Sequence, residues 1–141
     1  MSDPTTVSLI KKLGLRTDSR LLLLGAPPEF LPALGPLPEG VRLAEESEKN
    51  IDLVLLFAKT NRELCLKFHQ LIAKLAVNGA LWVAWPKKAS RVATDLSFEM
   101  VQQVGLAAGL VDNKVCAIDQ VWSGLRFVIR RKDRAILPGR P

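Results

Sequence analysis

The sequence predicts an α/β fold, a three-layer sandwich in which helices cover both faces of a mostly parallel sheet that closes with a C-terminal antiparallel hairpin. Three observations carry this. Unbroken apolar runs in RLLLLGA (20–26), IDLVLLFA (51–58) and ALWVAW (80–85) suit strands covered on both faces, as parallel strands are. Segments of helical periodicity alternate with these strands, so right-handed crossovers are expected between them. Finally, KVCAID (114–119) and WSGLRFVIRR (122–131) lie too close together for a crossover and must pair antiparallel.

Asp3 and Pro4 read as an N-cap with proline in the first turn, and Val7, Ile10 and Leu13 recur at helical spacing before Gly14. A short amphipathic helix is expected there, followed by the first strand, which ends at Gly25. Residues 26–40 carry five prolines, a density that permits at most a short helix around Glu29 to Leu34. VRLA (41–44) reads as a short strand, and EESEKN as a polar loop leading to 51–58. Thr60 and Glu63 make a T-x-x-E capping box. Leu64, Cys65, Phe68, Leu71, Ile72 and Leu75 then keep one face of a helix that Asn78-Gly79 is expected to stop. In strand 80–85, Trp82 and Trp85 point to opposite faces and read as core. Ser97 caps a further helix, with Leu96 and Val101 as a hydrophobic staple and Gly109 at its end. In the last strand, Leu125, Phe127 and Ile129 alternate with Arg126, Val128 and Arg130, so one face is expected to be more buried.

The 141 residues are one domain's length, read as a domain over 1–131 with a basic tail at 132–141. No apolar run approaches the ~20 residues of a membrane span. MSDPTTVSLIKKLG lacks the features of a secretion signal, so a soluble cytoplasmic protein without a membrane partner is expected. The net charge of +6 is concentrated at the end, because residues 126–141 hold six cations against Asp133 alone. Such a tail can attract polyanions or simply be solvated.

Cys65 and Cys116, far apart in sequence, read as buried core residues, and His69, the only histidine, as a boundary or surface residue. No metal set, Ser-His-Asp or Cys-His arrangement, paired catalytic carboxylates or P-loop is present, so no catalytic residue is assigned.

Two stretches, LKFHQLIAKLAVNGALWVAWPKK and GLAAGLVDNKVCAIDQVWSGLRFVIRRK, resemble the late helices and strands of class I S-adenosylmethionine-dependent methyltransferases, and the likeness covers residues 20–131. LLLLGAPPEF, WPKKASRVATDL and VCAIDQVWSGLRFV are similar to a family of small bacterial proteins of unknown function with this fold. The resemblance implies a Rossmann-like sheet in the order 2-1-3-4-6-5, truncated by a helix and a strand. It also implies a cofactor loop after the first strand, where Gly25 stands but Pro27 and Pro28 replace further glycines, removing N–H donors and fixing φ. An acidic residue for ribose hydroxyls could be Glu45 or Glu46. Where many methyltransferases acting on nitrogen carry D/N-P-P-[FYW], this chain reads FAKTNR, with Lys59 in place of the acid or amide.

Ligands of open α/β sheets bind at the carboxyl ends of the strands. Lys59 follows the second long strand, and Lys87, Lys88, Ser90, Arg91 and Thr94 follow the third. The hairpin turn brings Asp119, Trp122 and Ser123 to the same edge. These residues could hold a phosphate, a carboxylate or a nucleic-acid backbone, with Trp122 stacking on a base. Alternatively, Asp95 pairs with a lysine of this solvated loop and Trp122 plugs the sheet edge. Three readings remain open: a non-catalytic module binding an anion here, a divergent methyltransferase holding S-adenosylmethionine through Gly25, Glu45 and Glu46, and an interaction subunit using its surface and basic tail.

Overall fold

The computed structural model describes residues 8–133. Six strands form one sheet: β1 (Arg20–Leu24), β2 (Arg42–Leu43), β3 (Ile51–Phe57), β4 (Leu75–Pro86), β5 (Leu110–Ala117) and β6 (Trp122–Ile129). Their order is β2-β1-β3-β4-β6-β5, with β6 antiparallel to both neighbours and the other pairings parallel. The helices are α1 (Leu9–Leu13), α2 (Phe30–Leu34), α3 (Asn61–Ile72) and α4 (Phe98–Ala107).

Alternation along the strands divides the core into two clusters, one on each face of the sheet. Val54, Leu56, Leu81, Val83, Trp85, Leu125 and Phe127 pack with Leu64, Phe68 and Leu71 of α3 and Val101 of α4. On the opposite face, Leu53, Leu55, Phe57, Trp82 and Trp122 pack with Leu13 of α1 and Phe30 of α2. Trp82 and Trp85 therefore sit in different clusters, as their three-residue spacing requires. Trp82 is fully buried, and its indole Nε1–H is satisfied by donation to the Leu13 carbonyl at 2.9 Å.

The structure revises several expectations. Ser8 caps α1, its hydroxyl accepting from the Lys11 N–H; the expected start at Asp3 and Pro4, with Val7, lies outside the described residues, as do Arg134 and Arg140 of the tail. Asn78-Gly79 does not stop α3. The helix ends at Ile72, and Leu75 already belongs to β4, paired with Ile51. Asn-Gly instead lies inside β4, where the register passes from Ile51↔Leu75 to Leu53↔Ala80 across a bulge. A Cβ on Gly79 would lie 2.7 Å from the Ile51 carbonyl oxygen, so a close backbone approach calls for this glycine. The first hairpin strand starts at Leu110, earlier than Lys114, and ends at Ala117. Cys65 is exposed, because the helical stripe that reaches the sheet is the narrower one of Leu64, Phe68 and Leu71, and Cys116, on the edge strand β5, is half-buried.

The capping box is present, with Thr60 accepting from the Glu63 N–H at 3.1 Å. Ser97 caps α4 in the same way through the Met100 N–H. Trp85-Pro86 is trans.

Candidate functional site at the carboxyl edge

Hydrogen bonds tie the three segments beyond the carboxyl ends of β3 and β4 and before β6. The Lys59 carbonyl accepts from the Thr94 hydroxyl at 2.6 Å and from the Asp95 N–H at 3.3 Å. The Lys87 N–H donates to the Val121 carbonyl at 2.7 Å. Between these ties the basic stretch folds into a 3-10 turn at Lys88–Ser90, ending at Arg91 with φ 63°.

This turn frames a cleft of about 430 Å³ whose lining includes Lys87, Lys88, Thr94, Glu99 and Ser123, over an apolar floor of Trp85, Leu96 and Phe98. Neither lysine forms an ion pair among the described residues. Lys59, Ser90, Arg91, Asp119 and Trp122 are not in the lining. Glu99 and Phe98, which sequence reasoning missed, enter because the first turn of α4 folds back over the end of β4.

Several expected ligand groups are already engaged by the fold. Ser90 donates its hydroxyl hydrogen to the Lys87 carbonyl at 2.6 Å and accepts from the Val92 N–H. Thr94 donates to Lys59 and accepts from the Leu96 N–H. Neither hydroxyl retains a hydrogen for a ligand. Asp119 accepts from the Val121 and Trp122 N–H groups, both at 2.8 Å, which makes it the organiser of the hairpin turn. Asp95 serves α3, accepting from the Asn61 N–H at 2.7 Å, rather than pairing with a lysine. Trp122 is only 7% exposed and packs edge-on against Phe57 at 5.0 Å, while Phe57 meets Phe30 at the same distance. It plugs the sheet edge and cannot stack on a base.

A second cleft, of about 300 Å³, opens beside the ends of β1 and β3, where strand order reverses. Gly25 and Glu46 line it together with Glu63, Leu66 and Lys67. Glu45 is outside the lining; its N–H donates to Glu48, whose carboxylate also pairs with Arg42 at 2.7 Å. The hydrogen bond from Arg42, with that from the Glu45 N–H, holds the Glu48 carboxyl below its usual value. Glu46 is engaged as well: Lys67 reaches its carboxylate at 3.2 Å, and Lys74 donates to its carbonyl. Gly25 has φ 71°, and a Cβ there would lie 2.7 Å from the Phe57 carbonyl oxygen. Packing of β1 on β3 is thus sufficient reason for that glycine.

His69 and Cys65 lie exposed on α3, beside an open groove facing α4 that Asn61 and Met100 also line. Among the described residues, no group of three or more His, Cys, Asp and Glu side chains is arranged to hold a metal ion, and no helix is long and apolar enough to cross a membrane.

The sheet order, with a final antiparallel strand inserted beside β4, defines the class: the chain has the Rossmann-like fold of S-adenosylmethionine-dependent methyltransferases. Solved structures agree. A methyltransferase of this kind from Aquifex aeolicus superposes with a TM-score of 0.55 at 16% identity, over 89% of this chain and 93% of that one. Fibrillarin from Aeropyrum pernix, with natively bound S-adenosylmethionine, gives a TM-score of 0.55 at 13% identity, over 86% and 73%. The ribosomal protein L11 methylase of Lactobacillus delbrueckii subsp. bulgaricus gives 0.55 at 10%, over 87% and 76%. At these identities the likeness is one of fold. No protein-family model and no curated protein sequence matches the chain.

Proposed function

We propose that this methyltransferase-fold domain binds an anionic ligand in the cleft beyond β4 and does not itself transfer methyl groups. The supporting observation is that Lys87 and Lys88 line a cleft of about 430 Å³ with Glu99 as its one carboxylate, and neither lysine has an ion-pair partner among the described residues. That volume is in the range of small-molecule sites, and the apolar floor limits competition from water. Lys59 and Arg91, outside the lining, would add long-range attraction rather than contacts. The ligand class is a small carboxylate or phosphate, or a nucleic-acid backbone threaded past the turn.

The test is isothermal titration of the full chain with inorganic phosphate, citrate and a short single-stranded RNA, for the wild type and for Lys87→Ala combined with Lys88→Ala. Among the described residues neither lysine side chain makes a hydrogen bond or ion pair, so stability should change by about 0.5 kcal/mol or less. The expected result is saturable binding of at least one anion, weakened tenfold or more in the double variant. Equal affinity in both proteins would refute the assignment.

A divergent methyltransferase is the second reading, favoured by Gly25 and Glu46 sharing the cleft where strand order reverses. Against it, Pro27 and Pro28 supply no N–H donors, and the Glu46 carboxylate is taken by Lys67. The residues present do not fit the methyl donor well. Calorimetry with S-adenosylmethionine decides between them: saturable binding abolished by Glu46→Gln would restore the enzyme.

A further inference from the structure

On the α1 side of the sheet, at the middle of β6, Arg126 lies near cations of α1 and β5 that have no ion-paired acid among the described residues. Residues Asp112↔Phe127 and Lys114↔Arg126 pair across β5 and β6, with a bulge at Asn113. The bulge separates Asp112, whose carboxylate accepts from Gln102 of α4, from Lys114, which reaches the opposite layer and donates to the Lys12 carbonyl of α1 at 2.8 Å. Arg126 stands between Lys114 and Trp82 in the sheet, beneath the end of α1.

Arg126 is half-buried, and its Nη1 donates to the bulge residue Asn113 at 3.2 Å. Its Nη2 and Nε edge has no hydrogen bond among the described residues and passes Gly14 at the end of α1, 3.8 and 4.0 Å from where a Cβ would stand. Burial, and then the neighbouring Arg16, lower the Arg126 pKa from its usual value. Burial raises the pKa of the adjacent Cys116 thiol, opposed by the charges of Lys114 and Lys12. Lys12, Arg16, Lys114 and Arg126 form no ion pair among the described residues.

A partly desolvated guanidinium that feels a second guanidinium, with no carboxylate paired to it among the described residues, is unfavourable unless an anion joins it. The free edge of Arg126 presents two parallel N–H donors, the arrangement that takes up two oxygens of a phosphate at once. We propose that Arg126, Arg16, Lys114 and Lys12 form a binding site for a phosphate-type oxyanion, separate from the cleft beyond β4. Lys114 keeps its bond to the α1 carbonyl, so it contributes charge and its two remaining ammonium hydrogens, while Arg126 supplies the directional contact. Closing this site would anchor α1 to the β5-β6 hairpin.

The experiment is calorimetric titration of the full chain with inorganic phosphate, pyrophosphate and a 20-nucleotide single-stranded DNA. The proteins compared are the wild type, Arg126→Gln, Arg126→Lys, Arg16→Gln with Lys114→Gln, and Lys87→Ala with Lys88→Ala. The expected result is saturable phosphate or pyrophosphate binding that falls tenfold or more in Arg126→Gln, and less in Arg126→Lys, which keeps the charge but not the fork. The Lys87, Lys88 variant should keep the part of the phosphate or pyrophosphate binding that Arg126→Gln removes, whatever it loses at the cleft beyond β4. If Arg126→Gln fails to fold, the exposed Arg16, Lys114 pair gives the same test. Binding of the oligonucleotide alone, steeply weakened by salt and by the Arg126 change, would assign the same site to phosphates carried on nucleic acid. No saturable binding of any of the three, affinity unchanged by the Arg126 and Arg16, Lys114 changes, or loss confined to the Lys87, Lys88 variant would overturn it.

Discussion

Replacing Trp122 with alanine separates a ligand platform from a structural plug. The indole is 7% exposed, at the start of β6, and touches Phe57 in an edge-to-face pair at 5.0 Å. Phe57 in turn holds Phe30, which attaches α2 to the sheet. Truncation of a buried tryptophan costs about 3–5 kcal/mol. At roughly 3–4 °C per kcal/mol for a domain of this size, Tm should fall by about 10–20 °C. Urea unfolding followed by far-UV circular dichroism measures this, with Trp122→Phe expected to retain most of the stability because it keeps a ring against Phe57. A loss below about 1 kcal/mol in Trp122→Ala would mean that the ring is not buried, and would return it to the candidate ligand groups.

Gly105 lies buried on α4, where an added Cβ would overlap the ring of Phe127, itself fully buried against Phe68. Gly105→Ala should therefore lower stability by about 1–3 kcal/mol, although alanine is the better helix former by ~1 kcal/mol; an increased urea midpoint would refute the packing. The Glu48 carboxyl is held below its ordinary 4.5 by Arg42, so its contribution is present above that pH and is lost as pH falls through the lower folded value. In Arg42→Gln the Glu48 titration midpoint, followed by NMR, should move up towards 4.5. An unmoved midpoint would show that the pair does not form in solution.

The fold was legible because its signals are local and repeated. Leu21 and Leu22, Leu53 to Phe57 and residues 80–85 are buried on both faces, and that requirement shows directly in composition. Thr60 and Ser97 announce helix starts because a cap is satisfied within three residues of itself. The short spacing from Ala117 to Trp122 excludes a crossover whatever the rest of the chain does.

Other features depended on partners distant in sequence. Asn78-Gly79 carries the local signature of a helix stop, yet the approach of the Ile51 carbonyl across the sheet makes it a strand bulge. Ser90, Thr94 and Asp119 have the chemistry of ligand groups in a list of residue types. Their hydrogen bonds to Lys87, Lys59 and the Trp122 N–H make them loop supports instead. The four cations on the α1 side come from positions 12, 16, 114 and 126, a separation no motif spans, and the bulge at Asn113 determines which of them share a face. Burial periodicity and capping are properties of short segments and were determined by the sequence itself. Which polar atoms remain free for a ligand is decided by competition among all the donors and acceptors the tertiary fold brings within reach.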